Sequence, residues 1–168
     1  MNRIATIHIM HGFIGFGKST TAKKIAKEYK AIRLATDVFN IALFGRNPER
    51  DGFGDYWCKI RDLIWDIAKE TIENGVDVVI DIGHWRKDER LESWERAKQI
   101  TPNVIFHAVQ CDMSTARERT ILRTKNDPTS YEVSDKDFDK NTKWFEPIQN
   151  DEAKNYKIVY HDNNREAK

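Results

Sequence analysis

Long apolar runs are missing from this 168-residue chain, and none approaches the ~20 residues that a bilayer-spanning helix needs. An export signal is missing as well. The start "MNRIATIHIMHG" is too short and too polar for a secretory h-region, and it runs straight into a glycine-rich loop. Cysteine is scarce: Cys58 and Cys111 show no CxxC or Cys/His ligand spacing, so no metal or redox motif rests on them. Two such thiols without an export signal point to a reduced, cytoplasmic protein. An excess of either charge is also absent, since 28 Lys and Arg face 27 Asp and Glu for a net charge of +1. This balance argues against duplex nucleic acid as a partner, although a local groove for a strand end stays open. Repeats, low-complexity tracts and linkers are lacking too. The expectation is one domain over residues 1–168, large enough to bury a core, with no membrane partner.

The chain does contain β-type apolar runs that alternate with amphipathic helical patterns, which predicts an α/β fold with a helix-covered parallel sheet. Strands are expected at about Ile4–Met10, Ala31–Thr36, Val76–Ile82, 103–110 ("NVIFHAVQ") and 156–161 ("YKIVYH"). One helix should open at Lys18. Another should present Trp57, Ile60, Ile64, Ile67, Ala68 and Thr71 on one face and end at the "NG" of 74–75. Further helices are expected at about Asp88–Ile100 and over "STARERTILRT", the latter opened by Thr115 and Glu118 at capping-box spacing. Residues 45–55 read as an exposed loop. The stretch from Lys125 to about Phe145 reads as polar and irregular.

The strongest chemical signal is "GFIGFGKST", Gly12 to Thr20, which satisfies GxxxxGK[ST] between a predicted strand and a predicted helix. Glycines at this spacing let successive N–H groups point inward at phosphate oxygens, and the helix N-terminus adds a favourable dipole. Gly12, Phe13, Ile14, Gly15, Phe16, Gly17, Lys18, Ser19 and Thr20 are therefore the expected nucleotide-binding residues. Lys18 should reach the β- and γ-phosphates, and the Ser19 hydroxyl should ligate Mg²⁺. A dinucleotide-binding reading fails, because "GFGKST" lacks the third glycine.

In open α/β sheets, ligands gather at the carboxyl ends of the strands. Asp81 ends the run "VVID", where a carboxylate would hold Mg²⁺ opposite Ser19, and the bland alternative is a turn or helix cap. No "DE" pair follows, which weighs against simple ATP hydrolysis. Asp37 follows the second strand in "LATDVF" and could take a proton from an acceptor hydroxyl, or it could merely N-cap "VFNIALF". Arg119 and Arg123 share a helix face and could close over a transferring phosphoryl group, or they could form a solvated basic face. His84, Trp85 and Arg86 in "GHWRKDER" are candidate acceptor contacts, with core packing as the alternative. "TKND" at 124–127 is similar to a guanine-reading motif but follows a helix rather than a buried strand, so that reading is rejected.

"HGFIGFGKSTTAKKIA", "LATDVF", "VVIDIGHWRKDER", "RERTILRTKND" and "FEPIQNDE" together resemble the small P-loop kinases. The likeness falls on the AAA-domain branch with zeta-toxin-like, chloramphenicol-phosphotransferase-like and polynucleotide-kinase-like members. The resemblance implies a three-layer P-loop NTPase fold, a five-stranded parallel sheet ordered 2-3-1-4-5, and a helical lid at about 117–145. It implies ATP and Mg²⁺ as cofactors, Asp37 as general base, and Lys18, Arg119 and Arg123 as the other catalytic groups. Phe16 departs from the small residue usual before the GK pair. The expected activity is transfer of the ATP γ-phosphate to a hydroxyl of a small-molecule or nucleotide-like acceptor. A polynucleotide 5′-hydroxyl kinase, an ATP-binding regulator and an ATPase without acceptor are the alternatives, because fold alone does not name a substrate.

Overall fold

Fully buried strands read as unbroken apolar runs, and "IHIMH" and "VVID" become adjacent central strands. The computed structural model describes residues 3–47 and 53–164. In chain order the elements are β1 (Ile7–His11), α1 (Lys18–Tyr29), β2 (Ile32–Ala35), α2 (Thr36–Phe44), α3 (Phe53–Glu73) and β3 (Val78–Asp81). They continue with α4 (Lys87–Ile100), β4 (Val104–Gln110), α5 (Met113–Asn126), α6 (Asp135–Thr142), α7 (Asn150–Ala153) and β5 (Ile158–Asp162). All strand pairs are parallel, and the sheet order is β2-β3-β1-β4-β5, as the resemblance implies.

Alternate side chains leave opposite faces of each strand. Ile7, Ile9, Val78, Ile80 and Phe106 pack against Ile60, Ile64, Trp65 and Ala68 of α3 and Ala97 of α4. Met10, Val79 and Val109 face the other way, onto Ala22 and Ile25 of α1 and Ala116 of α5. The sheet is thus the middle of three layers. On the α1 side, three histidines form a chain across the strands. His8 Nδ1 lies 2.9 Å from His107 Nε2, and His107 Nδ1 lies 2.9 Å from His161 Nε2.

Three local expectations need correction. The Thr115–Glu118 capping box is not formed: α5 starts three residues earlier than such a cap would place it, at Met113 with Asp112 at the N-cap, because β4 ends at Gln110 and the chain turns at once. The expected irregular stretch at 125–145 contains α6, whose short apolar stripe is reduced to Phe138; Ser134 and Asp137 form its capping box. Of the expected loop at 45–55, residues 48–52 lie outside the described residues, while 53–55 already belong to α3. Among the described residues, no helix is long and apolar enough to cross a membrane.

Candidate functional site

The phosphate-loop sequence occupies the turn between β1 and α1, at the carboxyl edge of the sheet. Gly15 and Gly17 adopt left-handed backbone angles, with φ of 79° and 88°. Both are also closely approached, Gly15 by backbone and Gly17 by the amide end of a side chain. A Cβ on Gly15 would stand 2.2 Å from the Ala116 carbonyl oxygen, and one on Gly17 would stand 2.5 Å from Asn163 Nδ2. The loop is therefore pressed against α5 on one side and the end of β5 on the other.

Phe13 and Phe16 turn away from the loop's concave side. They are buried, their rings lie 6.0 Å apart, and they meet Phe138, Phe145 and Trp85 at centroid separations between 5.2 and 5.5 Å. Tilted and edge-on contacts of this kind suit the ring quadrupole. The bulky residues thus anchor the loop from beneath, which accounts for Phe16 in a position where a small residue is usual.

The segment after β3 braces the same loop. Gly12 N donates to Gly83 O (3.2 Å), Trp85 Nε1 donates to Gly12 O (3.1 Å), and His11 Nδ1 donates to His84 O (2.8 Å). His84 is buried with φ 45°, and its Nδ1 faces Met10 O at 2.8 Å and Ile82 O at 3.1 Å. Carbonyl partners fix the proton on Nδ1 of both rings. Burial holds the His11 pKa down at about 3 and that of His84 at about 4, so both are neutral.

These contacts revise the expected acceptor residues. His84 is spent on backbone carbonyls, Trp85 supports Gly12, and Arg86 pairs with Asp88 at the start of α4. Arg90 is fully buried and donates to both carboxylate oxygens of Glu152 (2.7 and 2.8 Å) and to the carbonyls of His84, Trp85 and Glu146. A buried guanidinium survives only when paired and hydrogen-bonded to this extent. The "FEPIQNDE" segment thereby gains a physical role: Phe145 covers the loop's aromatic cluster, and Glu152 anchors Arg90.

The charged candidates come from α1, β2, α2, β3 and α5. Lys18 and Ser19 open α1 and remain partly accessible. Asp81 is buried at the end of β3, and Arg33 of β2 donates twice to its Oδ2 (2.9 and 2.7 Å). Its Oδ1 is buried with no hydrogen-bond partner among the described residues. Asp37 lies in the first turn of α2, one residue inside the helix rather than at the N-cap, which is Ala35. It stays open to solvent, while surrounding protein crowds its carboxyl. That crowding pushes the pKa up; Asp81 adds to the rise, and Lys18, Arg123 and Arg33 oppose it.

The two α5 arginines separate. Arg123 is exposed, and its charge acts on Asp37. Arg119 instead donates to Asn163 O (3.0 Å) and Cys111 Sγ (3.4 Å). Asn163 in turn donates from Nδ2 to Phe16 O (2.8 Å), so Arg119 marks the β5 side of the loop. Sequence reasoning missed Arg33, Tyr131 and Asn163. Arg33 carried a usable signal, since a charge in a buried strand demands a partner. Tyr131, whose phenol is pushed up by burial and by the charge of Asp37, lies in a segment without periodicity. Asn163 sits in a polar tail that offers no pattern.

Residues 7–148 match the profile of the AAA domain family. No curated protein matches the chain. Among solved structures, a candidate kinase of Chloroflexus aurantiacus J-10-fl superimposes with a TM-score of 0.75 at 15% identity, covering 97% of this chain and 90% of that one. A gluconokinase from Sinorhizobium meliloti 1021 gives 0.62 at 15% identity, with coverages of 95% and 83%. Chaetomium thermophilum Kti12 in complex with ADP-AlF3 gives 0.65 at 16% identity, with coverages of 93% and 88%. With its glycine loop set between β1 and α1 under a β2-β3-β1-β4-β5 sheet, the chain belongs to the AAA domain family and has the fold of the small P-loop kinases.

Proposed function

We propose that the chain is an ATP- and Mg²⁺-dependent kinase that transfers the γ-phosphate to a hydroxyl of a small-molecule or nucleotide-like acceptor. The observation that carries this reading is Asp37, an exposed residue whose carboxyl is crowded by protein and lies within the fields of Lys18, Arg123 and Asp81. A carboxyl with a raised pKa is a stronger base than a free one, and it faces the groups that would hold phosphate. In the proposed step Asp37 takes the acceptor's hydroxyl proton while the oxygen bonds to the γ-phosphorus. The bond from that phosphorus to the β–γ bridging oxygen breaks, and ADP leaves. Lys18 and Arg123 neutralise the charge of the transferring group, and the backbone amides of residues 12–17 hold the phosphates.

The donor set suits a divalent cation. Asp81 Oδ1 is an orphaned buried oxygen, and Ser19 opens α1 beside the loop. Mg²⁺ would supply charge neutralisation between the β- and γ-phosphates. Among the described residues no cluster of three or more His, Cys, Asp or Glu could hold a metal ion, so its other ligands would be phosphate oxygens and water. The superposition on Kti12 with its bound ADP-AlF3 supports the nucleotide half of this reading.

The test is a screen with ATP radiolabelled at its γ-phosphate across antibiotics, nucleosides, sugars and 5′-hydroxyl oligonucleotides. Label transferred to one acceptor class is the expected result. Steady phosphate release that no acceptor diverts would identify an ATPase instead. Transfer to an oligonucleotide that declines steeply with salt would identify a polynucleotide kinase.

A further inference from the structure

The two halves of the proposed chemistry sit on different helices, Asp37 on α2 and Arg123 on α5, and one side chain ties those helices together. Gly45 ends α2 with a left-handed φ of 79°, and Arg46 follows. Its guanidinium donates from Nε to Ser130 O (2.8 Å) and from Nη2 to Thr124 O (2.9 Å), and Nη1 faces Glu132 Oε1 at 3.5 Å. The backbone joins in, since Glu132 N donates to Arg46 O at 3.2 Å. Thr124 lies in the last turn of α5, where carbonyls lack a helical partner and a cation is favoured by the helix dipole. Thr124 Oγ1 and the backbone of Val133 bond to each other, so the segment between them folds onto itself. Arg46 links that folded segment to α2.

We propose that Arg46 is a positioning residue that fixes residues 124–132 against the end of α2 and so sets where the adjoining Arg123 stands relative to α2 and Asp37. The role in transfer rests on the kinase reading above. Arginine is suited to the task because its planar fork reaches two carbonyls at once, which a lysine ammonium does not. Arg46 touches neither the phosphate loop nor Lys18 in any contact described for it. Nucleotide binding is therefore expected to survive its loss, while the rate of transfer falls.

The test uses the full chain and the variants Arg46→Ala and Arg46→Lys. In the nucleotide-free protein, Arg46→Ala is expected to speed amide hydrogen exchange across residues 124–133 by about tenfold or more, with β1 and β4 unchanged. Arg46→Lys should fall between Ala and the parent. Unchanged exchange at 124–133 overturns the proposal, and so does equal acceleration across the whole chain, the mark of general destabilisation. With an acceptor found by the labelled-ATP screen, Arg46→Ala is expected to lower kcat about tenfold and to leave KM for ATP within about twofold. A raised KM for ATP with kcat intact also overturns it. If the parent chain phosphorylates no acceptor, the kinase reading fails, and the exchange experiment still decides whether Arg46 holds the segment.

Discussion

Arg33 places two N–H groups on a single oxygen of Asp81, at 2.9 and 2.7 Å, and leaves the other carboxylate oxygen buried without a partner. The pair joins β2 to β3 at Asp81, the last residue of β3. Removing Arg33 strands a buried carboxylate, so Arg33→Ala is expected to cost about 3 kcal/mol in a urea-unfolding measurement. Asp81→Asn should cost less stability, and it should weaken the dependence of nucleotide affinity on added Mg²⁺. Equal Mg²⁺ dependence in parent and Asp81→Asn proteins would remove Asp81 from the proposed metal site.

Gly15 combines a left-handed backbone with a 2.2 Å approach to a backbone oxygen of α5. Neither problem can be relieved by moving a flexible side chain. Gly15→Ala is expected to cost about 2 kcal/mol or more and to lower ATP affinity by at least tenfold in a titration. A variant with normal affinity and melting temperature would mean that the loop and α5 separate freely.

Stability is expected to fall as pH drops from about 6.5 toward 4. His11 and His107 are held down at about 3 and His84 at about 4, in each case chiefly by burial. The unfolded chain binds protons on these rings below the ordinary histidine value of 6.5, while the folded chain resists them, so acid favours unfolding. His8 is also lowered, chiefly by burial, with Asp77 opposing the shift and Arg3 and Lys157 assisting it, and His161 follows the same direction through burial. Asp37, whose pKa is raised, works in the opposite sense at the acidic end of this window. Urea midpoints at pH 7, 6 and 5 check the slope, and a flat profile would contradict the buried neutral histidines.

Much of the fold is visible in the sequence because buried parallel strands leave apolar runs and α3 leaves a long stripe. "VVID" marks β3 without ambiguity, and Ile60, Ile64 and Ala68 do enter the core as their spacing demands. Strand order is a different matter. It comes from likeness to known kinases, since periodicity does not say which strands are neighbours. The phosphate loop is readable because its spacing encodes its backbone. What Phe13 and Phe16 do is not readable, because their partners Phe138 and Phe145 lie far along the chain.

His84 shows the same limit from the other side. A histidine beside a cleft-edge strand reads equally well as an acceptor contact or as a buried support, and only the carbonyls of Met10 and Ile82 decide between them. Arg119 and Arg123 share a helix face, yet one turn of α5 is enough to separate them. Arg119 meets the end of β5, whereas Arg123 faces the field of Asp37. The capping-box pattern at Thr115 and Glu118 misleads because a pattern cannot fix where β4 releases the chain.

The most direct measurement compares Asp37→Asn with the parent protein in two assays, ATP titration and transfer of labelled γ-phosphate to the acceptor found by the screen. Asparagine keeps the size and the α2 helix but cannot take a proton. The expected result is ATP affinity within about threefold of the parent together with transfer reduced about 100-fold or more. Full transfer by Asp37→Asn would contradict the assignment of Asp37 as the base of a phosphotransferase.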